Sequence, residues 1–428
     1  MPDNLVTILA QIPFFLIFAI TGILTLVMVF RQIFLSFVMP GRSQVNPFSR
    51  IPLTEWPSVT IMVAAYNEEA VIEGCLRSLA GLDYPRDKLD ILVINDRSRD
   101  ETREIVDRMV SATGGRIRAL HRPFDATPGK PAAMADGLLS VTSDVLVFFD
   151  ADYLPEPALL KKLVAPFVDP QVGATMGRVT PYNTDANVLT RLLDMERRGG
   201  YTIDLAARGA FNLLPQFGGT VGGIRVSAMN EVGGWSSDTL AEDTDVTYRL
   251  FIGGYTVEYV DDAVCYEESP EDWRIRMKQV RRWACGHNQC LLRYLVPTLT
   301  TPNQPLYKRL DAALVLCFYL LPVLALANLL AALVYPTLYA YPPLNFAVVS
   351  AVAFAMSFGN FAPYLQIMAA AIRDRQPDAV RLLPLIVISS TISMLAATHG
   401  LWLAIRSIAF GKALKWDKTV RYRKTANA

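Results

Sequence analysis

An excess of either charge is missing from this chain. With 41 Lys+Arg against 40 Asp+Glu, the formal net charge is +1, which excludes a bulk electrostatic pull toward nucleic acid. Cysteines are few. Cys75, Cys265, Cys285, Cys290 and Cys317 are odd in number and scattered, which argues against a disulfide framework and suits a reducing compartment. Cys285, His287 and Cys290 have no second ligand pair at zinc spacing nearby, so a metal reading of that trio is weak. No Gly-x-Gly-x-x-Gly opens the first helix-like stretch and no Walker lysine follows it. That argues against a dinucleotide fold and a phosphate-loop ATPase. The first apolar run is preceded by Met1-Pro2-Asp3-Asn4, without Lys or Arg, so it does not read as a secretory signal peptide. No internal repeat or low-complexity segment is present.

What is abundant is apolar residue, 52% of 428, high for a soluble protein and concentrated at the two ends. Ile12 to Val38, interrupted only by Arg31 and Gln32, exceeds the ~20 residues that cross a bilayer. Three more runs follow near the C-terminus: Ala312 to Tyr335, Leu344 to Ile372, and Leu382 to Ile405. Arg31, Arg42 and Arg50 follow the first run, so the positive-inside rule puts the N-terminus outside and the polar domain in the cytoplasm. Three simple C-terminal crossings then place the basic tail Lys412 to Lys424 outside, against the same rule. Leu401 to Leu414 offers one escape, as a helix lying in the interface. The expected division is an N-terminal transmembrane helix and linker (1–48), a catalytic domain (49–271), an interfacial amphipathic helix region (272–310), C-terminal transmembrane helices (311–410) and a basic tail (411–428).

The polar stretch reads as strand, helix, strand, helix, strand. Val59 to Ala65, Ile91 to Ile94 and Val145 to Phe149 are short apolar runs rich in β-branched and aromatic residues, the pattern of buried strands. Glu69 to Leu79 and Asp100 to Val110 carry helical patterning, with Asp100 as a cap. Such alternation predicts a parallel sheet with right-handed crossovers, whose ligands bind at the carboxyl ends of the strands. Asn67-Glu68, Asn95-Asp96 and Asp150-Ala151-Asp152 stand at those ends. If the strand simply continued, Asp150 and Asp152 would point the same way. Two carboxylates beside a diphosphate suit Mg²⁺ or Mn²⁺, hard cations that prefer oxygen and neutralise a departing phosphate.

Further along, Ala241-Glu242-Asp243 precedes a helix-like run, Thr244 to Phe251, and Asp272 to Leu292 reads as one long helix. On that helix Gln279, Arg282 and Trp283 lie three and four apart and share a face. Arg282 is a forked, permanent cation suited to a diphosphate, and Trp283 offers a flat apolar face to a sugar ring. The helix equally suits an interfacial role, with Trp and Arg at the headgroups.

In this order, Asp150-Ala151-Asp152, Glu242-Asp243 and Gln279-Val280-Arg281-Arg282-Trp283 resemble the signature of membrane-embedded family 2 glycosyltransferases, such as cellulose, hyaluronan and chitin-oligosaccharide synthases. The resemblance runs from Val59 to about Arg421. It implies an α/β nucleotide-sugar-binding domain of the GT-A kind, a mostly parallel sheet with flanking helices, plus α-helical transmembrane segments. It implies that Tyr66, Glu68 and Asp96 line the uridine pocket and that Lys130, in Gly129-Lys130-Pro131-Ala132-Ala133, meets the phosphates with Asp150 and Arg282. Asp152 would hold Mg²⁺ or Mn²⁺. Gly219, Thr220, Glu242, Gln279 and Trp283 would form the acceptor side. Asp243 would be the base that deprotonates an acceptor hydroxyl, itself a poor nucleophile. Two departures stand out. The loop Asn95-Asp96-Arg97-Ser98 has one acid where many relatives have two, and Ala241 replaces a threonine. Trp416 to Arg421 resembles the gating loop of cellulose synthases, which favours a cytoplasmic tail.

The function so implied is an inverting, processive β-glycosyltransferase. It would take a hexose from UDP-glucose or UDP-N-acetylglucosamine and extend a polysaccharide, with translocation through its own spans. Transfer of a single sugar to a membrane lipid is the alternative. A transporter is disfavoured, because Ala312 to Tyr335 and Leu344 to Ile372 carry no ionisable side chain other than tyrosine. A catalytically dead scaffold remains a rival on account of the Asn95-Asp96 loop.

Overall fold

Strand β1 (Val59–Ala65) forms over the span its apolar run predicts, and β2 (Leu89–Asn95) and β4 (Val145–Asp150) extend slightly past theirs. In this computed structural model, residues 2–41, 48, 55–236, 238–338 and 362–410 are described. Alternate side chains of these strands enter opposite cores. Ile61, Val63, Ile91, Val93, Val147 and Phe149 pack on one face against α2 (Ile72–Ala80) and α3 (Thr102–Ala112). Met62, Leu92, Ile94, Leu146 and Phe148 pack on the other against α4 (Lys130–Leu138) and α9 (Glu242–Ile252). Burial on both faces is why the strands read as continuous apolar runs.

The sheet has eight strands in the order β3-β2-β1-β4-β7-β6-β8-β5, with β3 at Ile117–His121, β5 at Leu154–Pro155, β6 at Val172–Pro181, β7 at Gly222–Arg225 and β8 at Thr256–Glu267. β3, β2, β1 and β4 are parallel neighbours. β7 runs antiparallel between β4 and β6, and β5 antiparallel to β8, while β6 and β8 are parallel. The sheet is therefore mostly parallel and mixed, as expected. Its antiparallel insertion has no apolar run in the sequence: β7 is Gly-Gly-Ile-Arg.

Helix α5 (Leu159–Val164) precedes β6; α6 (Val188–Arg198) comes after it, and a π-helical turn (Gly199–Leu205) leads into α7 (Ala206–Ala210). After α8 (Val226–Glu231) and α9 comes α10 (Trp273–Thr300), whose first turn is capped by the Asp272 carboxylate accepting from the Arg274 and Ile275 N–H groups. The N-terminal helix α1 (Pro2–Val38) ends against this body. Leu35 and Met39 pack with Ile203, Ala206 and Ala207, and Arg31 binds Asp204 at 2.7 Å and Asp311 at 2.6 Å.

Among the described residues, two helices are long and apolar enough to cross a membrane, Leu16–Val38 and Val380–Phe410. A third candidate is broken. The run expected as one span from Ala312 to Tyr335 is α11 (Leu306–Leu316), a tight turn at Cys317–Tyr319, then α12 (Leu321–Leu338), and the flanking pieces are bent by 60°. Pro322, in the first turn of α12, lacks the N–H that would continue the earlier helix. Most of Leu344 to Ile372 lies outside the described residues, apart from α13 (Ala362–Arg373); the tail with the gating-loop likeness lies wholly outside. The last helix, α14 (Ile386–Phe410), lies along α10. A Cβ on Gly400 would come within 2.7 Å of the Arg281 carbonyl, and Gln289 Nε2 reaches Ser407 Oγ at 3.4 Å.

Candidate active site

At the carboxyl ends of β1, β2 and β4 opens a cavity of about 1270 Å³. Every residue that the sequence assigns to the site lines it: Tyr66, Glu68, Asp96, Lys130, Asp150, Asp152, Gly219, Thr220, Glu242, Asp243, Gln279, Arg282 and Trp283. The cavity continues beyond Trp283 to apolar side chains of α12 and α14, among them Leu321, Ala325, Ile386 and Met394.

The β1 and β2 loops are tied together. Asn67 N–H donates to Ser98 Oγ at 2.9 Å and Arg99 N–H to Asn67 Oδ1 at 2.8 Å. Asn67 sits at φ 55°, a conformation asparagine tolerates; Arg97 at φ 62° does so at a cost of roughly 1 kcal/mol. Arg97 is held there by its own bonds to Asp96 Oδ1 (2.9 Å) and the Ala126 carbonyl (3.2 Å). Asn95, standing where an acid is common, is structural: it binds Ser98 N–H and His121 Nδ1. Asp96 is 4% exposed. It accepts from Arg122 at 2.6 Å and from the Gly129 N–H at 3.0 Å, in addition to Arg97. With Arg97 reaching both oxygens, four bonds already fill the about four acceptor sites of this carboxylate, so a donor from a base or ribose would displace one, the 3.5 Å bond from Arg97 Nη2 being the longest.

The Asp150-Ala151-Asp152 segment differs from an extended strand end. Tyr153 N–H donates back to the Asp150 carbonyl at 3.2 Å, so the chain turns, and strand alternation does not align the two acids. Asp150 is paired with Lys130 Nζ at 2.6 Å, and Lys130 also donates to the Gly219 carbonyl at 3.3 Å. Burial would lower the Lys130 pKa; the facing carboxylates of Asp150, Glu242 and Asp243 outweigh it and hold the ammonium charged. Asp152 is 2% exposed and lines the same cavity. No group of three or more His, Cys, Asp or Glu side chains able to hold a metal lies among the described residues. Such a donor set fits a hard cation that takes one or two protein carboxylates and fills its other positions from a diphosphate and water.

Glu242 and Asp243 stand in the first turn of α9, where free N–H groups and the helix dipole favour negative charge. Asp243 Oδ1 accepts the Thr244 N–H at 2.6 Å, so one residue both satisfies a free N–H of the first turn and lines the cavity. Burial raises the pKa of both acids, opposed chiefly by the Thr244 N–H and Lys130 for Asp243, and by Lys130 for Glu242. Arg282 lowers both as well. Gly219, at φ 71°, lies close against Asp243: a Cβ there would meet Asp243 Cβ at 3.1 Å.

Trp283 holds a finding that its spacing did not foretell. Two guanidinium groups lie over its ring, Arg276 at 5.3 Å and Arg197 at 5.6 Å from the centroid. Arg276 also binds Gln279 Oε1 at 2.9 Å and Glu196 at 2.8 Å, and Arg197 binds Glu267 at 2.8 Å. Helical spacing carries the signal for Arg276, three residues before Gln279 and seven before Trp283. His287, four residues after Trp283 on the same helix, carries it too. Arg122, Arg197 and Gln216, which also line or brace the cavity, have no such signal, because distant segments bring them in.

Residues 57–286, more than half of the chain, match the family described as glycosyltransferase like family 2, and the chain belongs to that family. It is 32% identical over 250 residues to a probable glycosyltransferase, YdaM, of Bacillus subtilis (58% of this chain, 60% of the relative). It is 30% identical over 312 residues to the beta-monoglucosyldiacylglycerol synthase of Synechocystis (71% and 63%). The chain thus spans less than two thirds of either relative. Among solved structures it is similar to the mannosyltransferase PcManGT of Pyrobaculum calidifontis, determined with GDP-mannose and Mn²⁺. The TM-score is 0.57 at 20% identity, over 85% of this chain and 97% of that one. At that identity the likeness speaks for the shared fold.

Proposed function

We propose that this chain is an integral membrane, inverting β-glycosyltransferase that moves a hexose from a UDP-sugar to an acceptor hydroxyl at the cytoplasmic face of the membrane. The observation that carries the reading is the gathering of Asp96, Asp152, Asp243 and Trp283, from four distant segments, around one cavity. The acceptor oxygen attacks the anomeric carbon as its proton passes to Asp243, and the bond to the UDP oxygen breaks with inversion. Tyr66, Glu68 and Asp96 hold the uridine. Lys130 and Arg282 face the diphosphate, with Asp150 fixing Lys130. Gly219, Thr220, Glu242, Gln279 and Trp283 orient the acceptor. Asp152 would hold Mg²⁺ or Mn²⁺, which when bound would neutralise charge on the departing diphosphate. One carboxylate suffices as base because UDP leaves without a protein acid, unlike the paired carboxylates of hydrolases.

Repeated addition to a polysaccharide is the acceptor reading that the Gln-x-x-Arg-Trp motif favours. A single transfer to a membrane lipid is the second reading. The specific observation favouring it is the apolar extension of the cavity along α12 and α14; the name of the Synechocystis relative points the same way. The test is UDP release by the purified chain with a panel of UDP-sugars and Mg²⁺ or Mn²⁺, followed by mass analysis of the product. A ladder supports polymer synthesis and a single glycolipid supports the lipid acceptor. No UDP release with any donor overturns the assignment.

A further inference from the structure

His287 belongs to the trio with Cys285 and Cys290 that invites a metal reading, yet no metal-holding group exists among the described residues. The imidazole instead faces α9 beside the proposed base. Thr244, fully buried, follows Asp243 directly. Its hydroxyl lies 3.3 Å from Asp243 Oδ1, 3.3 Å from His287 Nε2 and 2.8 Å from Gln216 Nε2.

A hydroxyl has one proton and two acceptor positions, and an amide nitrogen can only donate. Gln216 therefore fills one acceptor position of Thr244 Oγ1. Asp243 and His287 are left with one proton and one acceptor position between them. An ionised carboxylate only accepts, so the proton goes to Asp243 and the ring N–H of His287 fills the last position. This pattern gives Thr244 Oγ1 one proton donated and two accepted; the longer 3.5 Å approaches of Gln216 Nε2 to His287 Nε2 and of His287 Nδ1 to Thr244 Oγ1 carry no bond in it.

We propose that His287 is a positioning residue for the base: by donating to Thr244 Oγ1 it aims the Thr244 proton at Asp243 Oδ1, leaving Oδ2 as the oxygen that takes the acceptor proton. This rests on Asp243 being the base. Burial and the Arg208 charge lower the His287 pKa to about 4, so the ring donates as a neutral group near physiological pH. The charged and titratable groups facing it are Asp243 from α9, Arg208 from α7 and Tyr319, whose ring lies 4.8 Å away at the break between α11 and α12. That last contact sets the relay against the kink of a candidate span.

The test uses the full chain in detergent with Mn²⁺ and UDP-glucose or UDP-N-acetylglucosamine, whichever supports UDP release. kcat/KM is measured against pH, and UDP binding separately. His287→Phe keeps a ring without a donor and should lower kcat about tenfold, the size of one lost hydrogen bond. Its acidic limb should move to higher pH, because the ionised carboxylate has lost support, while UDP binding stays within about twofold. His287→Gln restores an N–H and should stay within about threefold of wild type. Thr244→Val should be no worse when combined with His287→Phe, since both break one relay. If His287→Phe loses UDP binding, His287→Asn, too short to reach Thr244, takes its place. An unmoved acidic limb, equal damage from Gln and Phe, or multiplying effects in the double variant overturns the proposal. Wild-type turnover by Asp243→Asn would instead remove the base assignment itself, a separate failure.

Discussion

The α carbon of Gly219 leaves little room for a side chain beside Asp243: an added Cβ would stand 3.1 Å from the Asp243 Cβ and 3.4 Å from its Oδ2. Gly219 also holds φ at 71°, where an alanine costs roughly 1–2 kcal/mol. The two effects act on the same few atoms. Gly219→Ala is predicted to lower kcat about 100-fold by displacing the proposed base, a misplacement of the kind that costs this much elsewhere. UDP affinity should change little, because the loops proposed to hold uridine follow other strands. Parallel titrations of UDP binding and UDP release check this; equal loss in both would place Gly219 outside the chemistry.

If Asp243 is the base, Lys130 is predicted to set the pH range of the reaction. Burial raises the Asp243 and Glu242 pKa values, and Lys130 opposes it. A base must be ionised, so activity falls as pH drops through its pKa. Removing the ammonium raises that pKa further, and the acidic limb of kcat/KM for Lys130→Met is predicted to move to higher pH. Donor KM should rise too, since Asp150 loses its partner at 2.6 Å. A pH profile of the variant decides; a limb shifted toward lower pH contradicts the electrostatics.

Asp152 is the carboxylate proposed for the metal. Chelation with EDTA is predicted to abolish UDP release, with recovery on adding Mn²⁺ or Mg²⁺. Asp152→Asn should lose most of that recovery, because a neutral amide is a poorer ligand for a hard cation. Metal titrations of both proteins measure it.

The fold was legible where strands are buried on both faces. Val59 to Ala65 could be read because every position is apolar or small, and the polar residues after β1, β2 and β4 mark the ligand edge. β6, β7 and β8 were not legible as strands of this sheet, since their partners are far apart in sequence and β7 is half glycine. The family signature brought thirteen residues together on one cavity, but their immediate company is long-range. Arg122 on Asp96 and Arg197 over Trp283 arise from crossings between segments that no spacing rule connects. The helix α10 is the exception: Arg276 could have been found from its turn-by-turn position relative to Gln279 and Trp283. The kink at Cys317–Tyr319 was hidden by uniform hydrophobicity, with Pro322 its one local cue.

Arg31 joins the N-terminal helix to Asp204 and Asp311. Arg31→Met would leave two carboxylates with little solvent and no shared cation, a loss of about 3 kcal/mol or more. Thermal unfolding in detergent should show a lower Tm for this variant, with partial recovery on adding Asp311→Asn. An unchanged Tm would mean the pair contributes nothing to holding α1.

The most direct measurement is UDP release by Asp243→Asn beside UDP binding by the same protein. The base assignment predicts a fall of at least ~100-fold in release, the usual scale of general-base catalysis, with binding retained. Release at the wild-type rate by the asparagine variant would contradict it.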